Sequence, residues 1–192
     1  MLPLLLASSS VYRRDLLARL RLPFSCSSPD IDESRRPGET AVELVKRLSL
    51  EKARALAASH PNHLIIGSDQ VAVLDGQIIG KPHTYDKAHQ QLTRASGASV
   101  SFLTGLTLLN SQTGHQQTDC IPFTVHMRTL SPEQIRRYLL AEEPYDCAGS
   151  FKAEGLGVSL FQRTEGDDAT SLVGLPLIRL VDMLLTEGVD TP

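Results

Sequence analysis

The chain predicts an α/β fold with a mixed, twisted sheet and flanking helices, and three observations carry that expectation. Segments of strand patterning alternate with segments of helical periodicity along most of the 192 residues. Two segment pairs, 64–82 and 99–128, read as hairpins, which adds antiparallel pairing to the sheet. The composition is ordinary for one globular domain, 41% hydrophobic and 21% charged, with no repeat, low-complexity tract or linker. A single domain over residues 1–192 is expected, its middle hairpin region forming a second lobe.

Leu4 to Ala7 make a short apolar strand, and Ser8-Ser9-Ser10 lead into a helix with Ser10 as its N-cap. Tyr12, Leu16, Leu17 and Leu20 recur at helical spacing and predict its buried face. A strand near Phe24 to Ser27 runs into the acidic loop PDIDES. Thr40 and Glu43 form a capping-box pattern that opens a long helix to about Ala58. Leu64 to Ile66 and Val71 to Leu74 read as one strand turned back at Asp75-Gly76. A helix over roughly 84–95 precedes the long strands SVSFLTGLTLLN and HQQTDCIPFTVHMR. Ser131-Pro132-Glu133-Gln134 combines an N-cap, a proline at N1 and a capping box, opening a helix to about Ala141. GLGVSLFQR reads as a strand, and a last helix near 176–187 points Ile178, Val181, Leu184 and Leu185 inward.

Bulk numbers exclude several classes. A net charge of -3 gives no general positive field for duplex nucleic acid or an anionic membrane. Cys26, Cys120 and Cys147 are odd in number and far apart, without metal spacing, and are expected to be reduced, buried thiols. The start MLPLLLASSS lacks a basic n-region, and no run approaches the ~18 apolar residues of a membrane span. A soluble cytoplasmic protein is expected.

Five groupings could carry chemistry. In SSSVYRRDLL, three serines and two arginines meet the first turn of a helix. Backbone N–H groups, hydroxyls and guanidinium forks there make a phosphate cradle, or else a solvated helix start whose charge Asp15 offsets. Lys52 falls in the apolar stripe of the long helix, either snorkelling to its edge or reaching an anion. Asp30, Asp32 and Glu33 are hard oxygen donors suited to Mg²⁺ or Mn²⁺, or simply a solvated loop. Asp69, inside an apolar strand, must be hydrogen-bonded, paired or metal-bound, and Ser68 and Gln70 beside it suggest a polar cleft. Lys152 and Glu154 share one side of an expected extended segment whose flanking glycines admit a ligand.

Lys81 presents a geometric question. With a two-residue turn, Gln70 lies opposite Lys81 and Asp69 opposite Pro82, which puts Asp69 and Lys81 on different faces. A shared site needs a bulge or twist, for which Gly67 and Gly80 are the candidates. GQIIGKP is no Walker A loop, no GxSxG, HExxH or strand-following GxGxxG occurs, and the six histidines are expected at the surface. Cations and carboxylates drawn from separate elements suit a polyphosphate substrate with a divalent metal.

The ordered motifs LASSSVYRRDLL, DIDE, LSLEKARAL, IIGSDQVAVLDGQIIGKP, TGLTLL, GSFKAEGLG and LVGLPL resemble the Maf family of nucleotide pyrophosphatases over nearly the whole chain. Gln70 after the aspartate resembles the branch hydrolysing 7-methyl-GTP; Tyr12 departs from the tryptophan expected there. The resemblance implies an elongated Maf/ITPase-like fold with two lobes around a central cleft, and hydrolysis of a nucleoside triphosphate to monophosphate and pyrophosphate. It implies Asp69 as proton acceptor, Glu33 and Asp69 as holders of Mg²⁺ or Mn²⁺, and Ser8, Arg13, Lys52, Lys81 and Lys152 along the phosphates. Tyr12, Gln70 and Glu154 fall at positions that select the base. It admits a homodimer, and implies neither a membrane nor a stable nucleic-acid partner. The alternatives are a pyrophosphatase of broader range and a non-catalytic nucleotide-binding regulator of cell division. Asp69→Asn is expected to abolish turnover with stability nearly unchanged.

Overall fold

A computed structural model describes residues 2–191. The elements follow as β1 (Leu4–Ala7), α1 (Val11–Ala18), β2 (Phe24–Ser27), α2 (Ala41–Ala57), β3 (Leu64–Leu74), β4 (Gln77–Ile79) and α3 (Tyr85–Ala95). Then come β5 (Ser99–Asn110), β6 (Gln116–Met127), α4 (Pro132–Glu142), β7 (Phe161–Glu165), α5 (Ala169–Val173) and α6 (Leu177–Thr186). The strands form one sheet in the order β2-β1-β3-β5-β6-β7, with β4 paired to β3. β1 runs parallel to β2 and β3, whereas β3–β4 and β6–β7 are antiparallel, so the sheet is mixed.

The chain divides into two compact units. The first comprises Met1–Gln70, Thr104–Ile121 and Thr170–Pro192; the second comprises Val71–Leu103 and Pro122–Ala169. In the first unit, strand alternation puts apolar side chains on both faces of the parallel strands, as a doubly covered sheet requires. Leu4, Leu6, Leu64 and Ile66 pack with Leu16 and Leu17 of α1 and with Leu180, Met183 and Leu184 of α6. Leu5, Ala7 and Ile65 face the other way, toward Ala53 and Leu56 of α2. In the second unit Phe102, Phe151 and Phe161 pack edge to face, with centroids 5.3 and 4.9 Å apart.

The caps behave as their residues dictate. Ser10, Thr40 and Ser131 each accept from a backbone N–H of the first helical turn, and the last two close full capping boxes. Helix α2 lies against the sheet through two glycines. A Cβ on Gly67 would stand 2.0 Å from the Ser49 carbonyl oxygen, and one on Gly105 would stand 2.1 Å from that of Val45.

Three local expectations fail. Leu156–Leu160 is a short 3-10 helix, so the last strand starts only at Phe161. On α6 the buried residues are Leu177, Leu180, Met183 and Leu184, while Ile178 and Leu185 are exposed. That helix is apolar around most of its circumference, so spacing alone cannot choose the inward face. The three cysteines are free thiols, but Cys26 is exposed and Cys120 and Cys147 are only half-buried.

Candidate active site

The strand period explains the polar residues within β3. Ile65, Gly67 and Asp69 share one face and Ile66, Ser68 and Gln70 the other. Because Gly67 lets α2 approach closely, Asp69 meets a residue in the C-terminal half of that helix. Lys52 Nζ donates to Asp69 Oδ1 at 2.7 Å, and both side chains are buried. The same nitrogen lies 2.9 Å from Glu33 Oε1, brought in by the acidic loop after β2. Lys52 therefore does not snorkel; one ammonium holds two carboxylates together.

Asp69 also sits where parallel sheets place their ligands. Leu6 pairs with Ile66, so the loop after β1 and the N-terminus of α1 lie at the carboxyl ends of the parallel strands. Ser8 is buried there and its hydroxyl accepts the Ser10 N–H at 3.1 Å. Arg13 Nε donates to the Gly174 carbonyl at 2.9 Å. Burial holds the Arg13 guanidinium below its ordinary pKa, while the charges of Asp69 and Glu33 pull it back up. Arg14 points elsewhere and pairs with Asp15 at the surface, 3.3 Å away. The cradle thus uses one of the two arginines. Tyr12 is half-buried on the first turn of α1.

On the opposite face of β3, Ser68 Oγ donates to the same Gly174 carbonyl at 2.9 Å. Gln70 Nε2 donates to the Ser171 carbonyl at 2.7 Å, Thr104 Oγ1 at 3.0 Å and the Leu172 carbonyl at 3.2 Å. Arg13, Ser68 and Gln70 therefore stitch residues 171–174 to α1 and β3. Sequence alone marks Ser68 by its polarity but singles out neither Thr104 nor the Gly174 carbonyl, because contacts made by a backbone carbonyl leave no compositional signal.

Lys81, Lys152 and Glu154 belong to the second unit. The β3–β4 hairpin has a two-residue turn, Asp75-Gly76, with φ of +50° and +73°. Its ladder runs regularly from Leu74↔Gln77 to Ala72↔Ile79 and stops. Lys81 lies beyond β4, exposed, so the paired register ends before reaching it. Lys152 and Glu154 lie at a turn and not on an extended segment. Lys152 Nζ donates to the Glu142 carbonyl at 3.2 Å, and Tyr138 Oη accepts the Lys152 N–H at 3.1 Å. The flanking Gly157 makes room for the chain itself: a Cβ there would stand 2.3 Å from the Lys152 carbonyl oxygen. Among the described residues no group of three or more His, Cys, Asp or Glu could hold a metal by itself. No helix among them is long and apolar enough to cross a membrane.

The fold is shared with solved structures of distant sequence. A HAM1 protein from Coxiella burnetii superposes with a TM-score of 0.52 at 16% identity, covering 97% of this chain and 100% of that one. The Ham1 protein of Staphylococcus aureus gives 0.53 at 12%, covering 97% and 99%. These likenesses define an α/β fold of the Ham1 kind. The profile described as Maf-like protein matches residues 3–187, and the chain belongs to the Maf family. Among its relatives are proteins named 7-methyl-GTP pyrophosphatase. One from Pseudomonas fluorescens Pf-5 is 79% identical over the whole of both chains. Those of Pseudomonas aeruginosa PAO1 and Alcanivorax borkumensis SK2 are 71% and 59% identical, the first over 98% of both chains and the second over 98% of this chain and 96% of its own.

Proposed function

We propose that this chain is a housecleaning pyrophosphatase that hydrolyses 7-methyl-GTP to 7-methyl-GMP and pyrophosphate. The observation that carries the reading is a buried carboxylate, Asp69, held by Lys52 beside Glu33, in a chain 79% identical from end to end to a protein of that name. Asp69 accepts the proton of a water that attacks at the α–β phosphate linkage; the bridging P–O bond breaks and pyrophosphate leaves. Arg13 and Lys52 offset the charge that builds on the leaving group. On the family resemblance, Ser8, Lys81 and Lys152 also contact phosphates, and Tyr12, Gln70 and Glu154 select the base.

Glu33 and Asp69 suit a divalent cation, Mg²⁺ or Mn²⁺, since two hard carboxylates already converge on one positive charge. Such ions commonly take one or two protein carboxylates and complete their shell with water and substrate phosphates. The ion would neutralise phosphate charge when bound. N7-methylated guanine is cationic, and stacking on Tyr12 would favour it by about 0.5–2 kcal/mol. The carboxylate of Glu154 can accept from the guanine N1–H and amine. The reading places the protein in the cytoplasm.

A broader substrate range is the second reading. It is favoured by the Gln70 amide nitrogen, which is committed to the 171–172 backbone. The test is product analysis with 7-methyl-GTP, GTP, dTTP and UTP, with Mg²⁺, Mn²⁺ or chelator. Pyrophosphate and 7-methyl-GMP are expected, with 7-methyl-GTP preferred. Equal rates on all four support the broader reading, and nucleotide binding without any product supports a regulator. Asp69→Asn should lower turnover by about 10²–10⁴-fold; a fully active, folded variant removes Asp69 from the mechanism.

A further inference from the structure

Arg47 precedes Lys52 on α2, is largely buried at 13% side-chain exposure, and has no part in the chemistry above. Its guanidinium nevertheless makes four charged or polar contacts. Nε and Nη2 fork onto the two carboxylate oxygens of Glu39 at 2.6 and 2.9 Å. Nη1 donates to Glu51 Oε2 at 3.0 Å, and Nη2 also donates to the Ser34 carbonyl at 3.1 Å. Glu39 is further tied down, accepting the Arg36 N–H at 3.0 Å through its carboxylate, while its carbonyl accepts from Arg35.

Ser34 directly follows Glu33, so this one guanidinium grips both ends of the 34–39 loop and fastens them to the helix that carries Lys52. Glu33 by itself is poorly held. Its side chain is 60% exposed, and an exposed carboxylate on a free loop gains little from a single lysine after the cost of ordering both. Arg47 is suited to the task because its planar fork binds a carboxylate at two points and still has a donor for a carbonyl, which an ammonium cannot match geometrically.

We propose that Arg47 is a positioning residue: by clamping the Ser34 carbonyl and the Glu39 carboxylate to α2, it holds Glu33 beside Asp69 and thereby sets the affinity for a divalent cation. The inference rests on the reading of Glu33 and Asp69 as the metal pair. It is tested by titrating Mn²⁺ into the substrate-free protein by calorimetry, well below each variant's melting temperature. The set is the native chain, Glu33→Gln, Arg47→Gln, Arg47→Lys and the double variant Glu33→Gln/Arg47→Gln.

Arg47→Gln should weaken Mn²⁺ binding about 10-fold or more, the lower end of what partners of metal ligands contribute. Arg47→Lys, which keeps the charge but loses the fork, should fall between it and the native chain and guards against a folding failure. The double variant should bind no worse than Glu33→Gln, because the clamp acts only through Glu33. Native Mn²⁺ affinity in a folded Arg47→Gln, with only a lowered melting temperature, overturns the proposal, as does a double variant whose losses simply add. If Glu33→Gln alone leaves Mn²⁺ binding intact, the metal reading itself falls and takes the proposal with it.

Discussion

Gly67 does more for the site than its lack of a side chain suggests. Its Cα faces the Ser49 carbonyl so closely that a methyl would collide with backbone, at 2.0 Å from Ser49 O and 3.1 Å from Ala53 N. Backbone cannot swing aside as a side chain can, so Gly67→Ala should destabilise the fold by about 1–3 kcal/mol or more. Gly80, with nothing within 4 Å of an added Cβ, is the control, and Gly80→Ala should stay within about 0.5 kcal/mol of native. Urea denaturation of the two variants decides; equal midpoints would mean that α2 does not approach β3 so closely. At Asp69 the buried pair with Lys52 revises the expectation of unchanged stability on neutralisation. Asn still accepts from Lys52 and Glu33 remains, yet the contact is no longer one between two charged groups, which should cost about 1 kcal/mol. Activity of Asp69→Asn therefore has to be measured below its own melting temperature.

Helix α2 concentrates most of what the site needs. Its N-terminus is closed by Thr40 and Glu43, its stripe packs on the sheet, Lys52 reaches Asp69, and Arg47 fastens the loop that bears Glu33. The fork from Arg47 holds the Glu39 carboxyl well below its ordinary 4.5, at about 2. Glu39 therefore binds fewer protons folded than unfolded between those two values. Its contribution is complete above about pH 4.5 and is lost as pH falls toward 2. Melting of the native chain and Glu39→Gln from pH 7 to 2 should show a native advantage that shrinks over that interval. A difference constant down to pH 2 would contradict the Arg47–Glu39 fork. The i,i+4 spacing of Arg47 and Glu51 is visible in the sequence, but the Glu39 contact is not, because it depends on how a loop folds back on the helix.

Across the whole chain, the thiols report how tightly each unit is packed. Burial, with Asp146 adding to it, pushes the Cys147 thiol up to about 12, and burial also raises that of Cys120. Cys26 is exposed on β2. Titration with a disulfide reagent near neutral pH should find one fast thiol, Cys26, and two slow ones, with all three reacting after denaturation. A fast Cys147 would mean that the second unit opens around residue 147. The match of the Maf profile from residue 3 to 187 shows that both units belong to one family relationship, and every grouping singled out for chemistry falls inside it.

The order of the strands and of every α-helix but α5, the caps at Ser10, Thr40 and Ser131, the Asp75-Gly76 turn and the family motifs follow from the linear chain, because each depends on neighbours a few residues away. The two-residue period of β3 likewise suffices to put Asp69 on one face and Ser68 and Gln70 on the other. What faces each of them is a different matter. That Lys52 meets Asp69 instead of snorkelling, that Gln70 anchors residues 171 and 172, and that Glu39 and Ser34 share one arginine are contacts between residues 8 to 102 positions apart. Such contacts are created when loops fold back on α2 and α2 packs on β3 at Gly67, and no local periodicity encodes which partner that packing will bring.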